Sequence, residues 1–389
     1  MNGQTPTRVD RLGLARTVLH TAAAVTKERL RARAVSDPAA VPARIEDITP
    51  AWLTGTVARH VPGAAVVAVD LGPGSSGTSV RRQLRLSYNA AGAAAGLPAT
   101  LFAKSTPTLV TRIANGLTGT SATEAGFYGA LRPHLDIEAP RGFFSAFDPT
   151  SFRSIHLLED LTETRGATFC TPSSEIDLDQ AQQLIDVLVA LHGSEVARTM
   201  VDGPRPAWLR TYEGWWQAGM RVANIERYHA KGFAQAASVI PGDLAGGAVE
   251  TWAAFVRSVQ AHERSPLTLI HNDVHVGNWF QTAAGRMGLC DWQCVCVGAG
   301  TRDLAYAVST ALAVEDRRAW ELDLVRRYAA ALGRDEQEVW AGYQQQLPGA
   351  LMMWTSTLSK PPGLPEMQPR PTSLEMIRRI TTAMADHGF

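Results

Sequence analysis

The chain is poor in several things at once, and each shortage excludes something. It has 4 cysteines in 389 residues, too few for a disulfide framework. Cys290, Cys294 and Cys296 cluster, but no second pair of ligands sits at zinc spacing. They read as core thiols, and the cysteine usage points to a reducing, cytoplasmic setting. No stretch approaches 18 uncharged apolar residues, so no transmembrane helix and no integral membrane association are expected. The first 35 residues have no basic segment leading into an apolar one, which argues against a secretory signal. Neither sign of charge is in excess: 37 Lys+Arg face 37 Asp+Glu. That balance argues against a nucleic-acid partner and against an acidic disordered chain. Also missing are the Gly-x-x-x-x-Gly-Lys-Ser/Thr of a P-loop and the Gly-x-Ser-x-Gly of a serine hydrolase.

What is present is ample core material, with 45% hydrophobic residues, enough for two or three domains or one large bilobal unit. Over residues 9–35, Leu12, Leu14, Val18, Leu19, Ala22 and Val25 recur at helical spacing. This amphipathic helix would pack on the main body or on a second copy of the chain, a possible dimer contact. Thr49 and Pro50 open a short helix as N-cap and first residue. From Ala64 the period changes to two. Val66–Leu71 reads as a strand, residues 72–79 (GPGSSGTS) as a Gly-rich turn, and Val80–Tyr88 as a second strand. A small-residue turn, Gly92–Gly96, leads to a third strand at Thr100–Lys104. Residues 105–120 are polar and Gly/Thr-rich and read as a mobile loop. A helix follows at Ser121–Leu131, then apolar runs from Gly142 and from Ile155 that complete a five-stranded sheet. Beyond residue 175 helices dominate, beginning with a periodic helix at Asp177–Leu191 capped by His192-Gly193. A Pro-rich linker at 360–371 precedes a last helix. A β-rich part followed by an α-rich part gives an α+β chain in two lobes, divided as 1–62 (N-terminal helical extension), 63–160 (N-lobe) and 161–389 (C-lobe).

The chemistry concentrates in Leu269–Phe280, which contains His271-x-Asp273-x-x-x-x-Asn278. Asp291 follows thirteen residues after Asn278, at the end of an apolar strand. Phosphoryl transfer from ATP needs such a set: one carboxylate to orient or accept the proton of an attacking hydroxyl, and an amide oxygen and a second carboxylate to hold magnesium against the phosphates. The Gly-rich turn, with Gly74, Ser75, Ser76 and Gly77, can lie over phosphates because glycine lets backbone N–H groups approach closely. Lys104 sits mid-strand, where a charge needs a partner, and Glu124 on the next helix is the natural one. It reads as a cleft lysine whose loss would weaken nucleotide binding without unfolding the chain.

With these residues in place the sequence resembles the kinase-like small-molecule phosphotransferases, the aminoglycoside and choline kinase group, and within it the ecdysteroid-kinase-like branch. The resemblance covers about residues 64–310. His271, Asp273, Gly277 and Asn278 match the family's His-Gly-Asp-x-x-x-x-Asn loop, and Asp291-Trp-Gln293 its magnesium motif. Glu124–Tyr128 matches the first-lobe helix, Leu157–Leu161 the hinge, and Gly300–Tyr306 the helix after the metal motif. The resemblance implies a bilobal protein-kinase-like fold, with a five-stranded antiparallel sheet and one main helix in the N-lobe and a larger, mostly helical C-lobe. It implies ATP and Mg2+ as cofactors, with Asp273 as base and Asn278 and Asp291 as metal ligands. Lys104, Glu124, the Gly-rich turn and the hinge residue Glu159 are the nucleotide-binding set. His271 is expected to hydrogen-bond the catalytic loop, His275 to face substrate beside the base, and Asp303 to brace the loop. Asn272 departs from the glycine usual at its position.

Only eleven residues separate Asp291 from Asp303 and no Ala-Pro-Glu follows. There is no room for a protein kinase's activation loop, so a small-molecule hydroxyl acceptor is expected. A catalytically inactive binding module would have lost the lysine, the base or the metal ligands, and all are present. Acceptor identity is less constrained. No dense acidic run follows residue 180, as a polycationic amino sugar would want, whereas tryptophans stand at 208, 215, 216, 252, 320, 340 and 354. Trp215-Trp216 falls in an inserted helical region where this family places acceptor pockets. The expectation is a neutral, fairly apolar alcohol, with an aminoglycoside or other antibiotic as the alternative.

Overall fold

The computed structural model describes residues 11–30, 34–77, 79–242, 244, 247–360, 364 and 366–389. Five antiparallel strands, β1 (Val66–Ser76), β2 (Val80–Tyr88), β3 (Thr100–Ser105), β4 (Gly142–Asp148) and β5 (Arg153–Glu159), form one sheet in the order β1-β2-β3-β5-β4. Alternation divides its two faces. Leu84, Leu101, Ala103, Ile155 and Leu157 turn inward against Ile45, Trp52 and Leu53. The short helix Pro50–Thr56 is set there by Thr49, whose hydroxyl accepts from the Trp52 N–H at 3.2 Å. The other face presents the alternate residues Arg81, Phe102, Lys104 and Leu158 to a cleft.

The second half is helical. The helix Leu178–His192 begins with a reciprocal capping box between Asp177 and Gln180. It packs with Thr301–Ala311, Val314–Ala331, Glu336–Leu358 and Arg370–Asp386 around the larger core. The α+β expectation, with a five-stranded antiparallel sheet and a mostly helical remainder, matches this architecture.

Several local expectations need correction. Residues 105–120 are not a loop but contain a helix, Leu109–Thr118, capped by Thr108. Its Arg112 is buried, donating to the Thr106 carbonyl at 3.0 Å and pairing with Glu28. Composition hid this: Thr, Asn and Gly crowd the segment, although Leu109, Ile113 and Leu117 recur at helical spacing after the Thr108 cap. A further helix follows it directly, running Thr120–Gly126 and on through a wider π-turn, Phe127–Leu131. Most of the Gly-rich turn is strand: β1 runs to Ser76, with an irregular register between Leu71 and Gly74. Gly74 is required there, since a Cβ would lie 2.5 Å from the Arg81 carbonyl oxygen. The Gly92–Gly96 turn is preceded by a short helix, Ala90–Ala94, capped by Asn89. The N-terminal helix spans Arg11–Leu30, and residues 9, 10 and 31–33 lie outside the described residues. Leu12, Leu19 and Leu30 are not part of a buried stripe. Leu12 and Leu19 are 79% and 71% exposed, while Thr21 and Val25 are buried and Glu28 pairs with Arg112 and Arg153. The Pro-rich linker also falls partly outside, at 361–363 and 365.

Candidate active site

The loop after the strand Leu267–Ile270 is held from below by Asp303, at the start of the helix Thr301–Ala311. Its carboxylate accepts from the backbone N–H groups of His271 (2.6 Å) and Asn272 (2.8 Å), with His192 Nε2 at 3.3 Å. Burial alone would raise its pKa, but the His192 hydrogen bond and nearby positive charge hold it below the ordinary carboxylate value. Asn272 has φ +67°. Asparagine tolerates this left-handed conformation better than most side chains, so it can stand where glycine is usual.

His271 is fully buried behind the loop and does not reach the cleft. Its Nδ1 accepts from the Asp273 N–H at 3.2 Å, and its Nε2 faces the Cys290 carbonyl at 3.0 Å. That arrangement suits one neutral tautomer, with Nε2 the donor, and burial lowers the ring's pKa accordingly. His271 therefore ties the Asp273 loop to the segment carrying Asp291. Trp292 meets its imidazole edge-on at 4.6 Å and stacks on Phe127 at 4.2 Å.

Asp273, Asn278, Asp291, Lys104, Glu124, His275, Glu159 and Gly77 line one cavity of about 610 Å³. Asn278 donates to the Asp273 carbonyl at 2.7 Å, which leaves its side-chain oxygen directed elsewhere. Tyr306 donates to Asp273 Oδ1 at 3.3 Å, and burial beside that carboxylate raises the phenol's pKa well above its usual value. The His275 Nδ1 accepts from the Gly277 N–H at 3.0 Å, and its Nε2 stands 4.0 Å from Asp273 Oδ1. Lys104 is 5% exposed, a buried residue and not an open cleft lysine. Its Nζ lies 2.9 Å from Glu124 and 2.8 Å from Asp291. Burial would lower its pKa, but the two carboxylates outweigh that and raise it. Asp291, at φ +63°, is held far below the ordinary carboxylate range: burial opposes this, and Lys104 and Arg81 overcome it.

Other expected residues lie differently. Gly74, Ser75 and Ser76 belong to β1 and do not line the cavity. The Glu159 carboxylate is engaged by Arg165 at 2.7 Å, Thr164 at 2.9 Å and the Arg141 N–H at 3.1 Å. It fastens the hinge instead of projecting freely. Trp216, Trp279 and Trp292 are buried core, whereas Trp215 and Trp354 reach the cavity. Sequence reasoning missed Arg81 and Phe102 as cavity residues, and it named Trp354 only as one of seven tryptophans. Strand parity from Lys104 would have found Phe102, and Arg81 needed the β2–β3 register.

Among the described residues no group of three or more His, Cys, Asp or Glu side chains could hold a metal by itself. The cysteines are free thiols, and burial pushes Cys290 up to about 12. Asn278 and Asp291 offer two hard oxygen donors on one cavity wall. That incomplete set fits magnesium, which keeps waters and takes substrate phosphates as further ligands. No helix among the described residues is long and apolar enough to cross a membrane.

A five-stranded antiparallel sheet closing over a helical part, with lysine, acid and loop carboxylates facing one cleft, defines a kinase-like phosphotransferase architecture. Residues 94–344 match the phosphotransferase enzyme family, and the chain belongs to that family. No curated protein matches it in sequence. Among solved structures it is similar to a Plasmodium vivax ethanolamine kinase (12% identity, 82% of each chain covered, TM-score 0.45). It is also similar to an aminoglycoside phosphotransferase from Streptomyces rimosus, in complex with ADP and streptomycin (15% identity, 69% of this chain and 90% of that one, TM-score 0.42). A choline/ethanolamine kinase family protein from Mesorhizobium loti matches at 15% identity over 82% of this chain and 88% of that one, TM-score 0.43.

Proposed function

We propose that this phosphotransferase is an ATP- and magnesium-dependent kinase acting on a hydroxyl of a small, largely neutral and apolar molecule. The observation that carries the reading is the convergence of Asp273, Asn278, Asp291, Lys104 and Glu124 on one cavity. Asp273 orients the acceptor hydroxyl and takes its proton, and Tyr306 and Asn278 fix the carboxylate. Lys104, positioned by Glu124, holds phosphate oxygens. Asn278 and Asp291 hold magnesium, which would neutralise charge on the transferring phosphoryl group. Adenine would lie among Phe102, Leu158, Phe169 and Cys290, which line the same cavity as the hinge residues Glu159 and Asp160.

The acceptor class follows from the remaining wall. Trp215, Met353, Trp354, Leu364 and Met367 supply apolar faces, and His275, seated edge-on against Trp354 at 5.1 Å, supplies a polar tip beside the base. The carboxylates of the cavity are those of the catalytic set and the hinge, so no separate acidic wall waits for a polycation. This favours a neutral glycosylated or polycyclic alcohol over an aminoglycoside, in keeping with the ecdysteroid-kinase-like branch. The test is a screen of hydroxylated metabolites and antibiotics for ATP consumption with purified protein, followed by mass detection of a phosphoryl addition. Phosphorylation of kanamycin-like amines with none of neutral alcohols overturns the acceptor reading. No nucleotide consumption with any acceptor, and no nucleotide binding, would favour an inactive binding module.

A further inference from the structure

The tip of the β1–β2 hairpin offers little to a phosphate. Among its described residues only Gly77 lines the cavity, and the Gly77 N–H is already committed to the Ser79 carbonyl at 3.0 Å. Residues 74–76 are paired in strand with Val80–Arg82. A kinase cleft still has to neutralise several phosphate charges.

The sheet register shows where that charge sits. Ser75 pairs with Arg81, Arg81 with Lys104, Lys104 with His156, and His156 with Ser145. Opposed residues of an antiparallel pair share a face, so this row crosses the sheet on its cleft side. Arg81 and Lys104 are therefore directly opposed cations. Such like-charge pairing is unfavourable in a sheet unless something anionic faces both. Asp291 does so: Lys104 holds one oxygen at 2.8 Å, and Arg81 approaches the other at 3.5 Å. The Arg81 contact is the longer one and its side chain is 33% exposed, so the guanidinium can turn from Asp291 to a ligand. Its neighbour Arg82 points to the other face, toward Glu46 at 3.6 Å and the Gly72 carbonyl at 3.4 Å.

We propose that Arg81 is a phosphate-binding residue of the nucleotide site, doing from β2 what backbone amides of a longer Gly-rich turn would do. The inference rests on the kinase reading above. With a nucleotide bound, Lys104 and Arg81 would turn from Asp291 to phosphate oxygens, which would leave Asp291 free to serve as a metal ligand. A guanidinium suits this because its fork of donors matches two phosphate oxygens.

The experiment is calorimetry of the full chain with Mg·ATP and with adenosine, on wild type, Arg81→Gln and Arg81→Lys, with melting curves for each. Wild type should bind both ligands. Arg81→Gln should weaken Mg·ATP roughly 10- to 100-fold, the size expected for hydrogen bonds to a charged group. It should leave adenosine affinity unchanged, and Arg81→Lys should recover part of the loss. Because adenosine has no phosphates, equal losses for both ligands would mean a merely structural role and overturn the inference. So would an Arg81→Gln titration superimposing on wild type while wild type binds Mg·ATP; in that case the kinase reading stands and Arg81 alone falls. If wild type binds no nucleotide, both fall together.

Discussion

The protein buries charge in two places. In the cleft, Lys104 stands between Glu124 and Asp291 with Arg81 close by. Among the C-terminal helices, Arg317 stands between Glu321 and Asp386, with Tyr343 and His387 on Glu321. The ingredients are alike: a nearly inaccessible cation (6% and 1% side-chain exposure) set between two carboxylates. The surroundings differ. The second cluster joins Val314–Ala331, Glu336–Leu358 and Arg370–Asp386, and none of its residues lines the cavity. The first draws its members from β2, β3, the helix Thr120–Gly126 and the segment after Leu289, and opens on the cavity. Burial with pairing does not distinguish a functional charge cluster from a structural one. The presence of a space into which partners can be exchanged does.

The largest effect that would sharpen this contrast is at the base next to the cleft cluster. Asp273→Asn should lower turnover roughly 10²- to 10⁴-fold while nucleotide affinity is kept, measured by steady-state kinetics beside calorimetry. A wild-type rate would remove Asp273 from its role. Asp291→Ala should next abolish the magnesium dependence of ATP binding, and titrations with and without magnesium check it. An unchanged magnesium-dependent affinity would take Asp291 out of the metal site.

Comparable truncations of the two central cations separate the clusters further. Arg317→Met takes the buried guanidinium from Glu321, which keeps Tyr343 and His387, and from Asp386, which keeps Arg318, and should cost about 3 kcal/mol of stability, with kcat per folded molecule unaltered. Lys104→Met should also destabilise, because Lys104 is buried and paired, but here Mg·ATP affinity falls as well. Denaturant unfolding read alongside calorimetry distinguishes them. If Arg317→Met altered nucleotide affinity as much as Lys104→Met, the contrast would fail.

The smallest effect is an acid slope. Burial holds His156, His229 and His262 each at about 4, below the ordinary 6.5. As pH falls the unfolded chain takes up these protons first. The stability from each is thus complete above about 6.5 and is lost as pH falls through 4, at roughly 1.4 kcal/mol per pH unit and site. Of the three, only His156 touches the cleft cluster, 3.6 Å from Glu124. His156→Gln should flatten the decline of unfolding free energy between pH 6.5 and 4.5 without altering its value at pH 8 by the same amount. An unchanged slope would mean that His156 is protonated in the folded protein.

The proposed catalytic set was legible in the sequence because the chemistry proposed for it tolerates few substitutes. A base, an amide and a metal carboxylate would have to follow one another along a loop and the adjoining strand, and that spacing brings Asp273, Asn278 and Asp291 into view. The strands were legible because alternating Val and Leu have one dominant meaning, and Asp177 and Gln180 marked a helix start by their own side chains. Composition did not reveal the helix Leu109–Thr118, whose Arg112 is fastened to Glu28 some 84 positions away. Nor could it separate Trp215 and Trp354, which face the cavity, from Trp216, Trp279 and Trp292, which fill the core. Side-chain chemistry and local period are written in the chain itself. Which residues meet across the sheet, that Lys104 is enclosed, and that Arg81 stands opposite it were decided only by tertiary packing, because register and burial depend on partners distant in sequence.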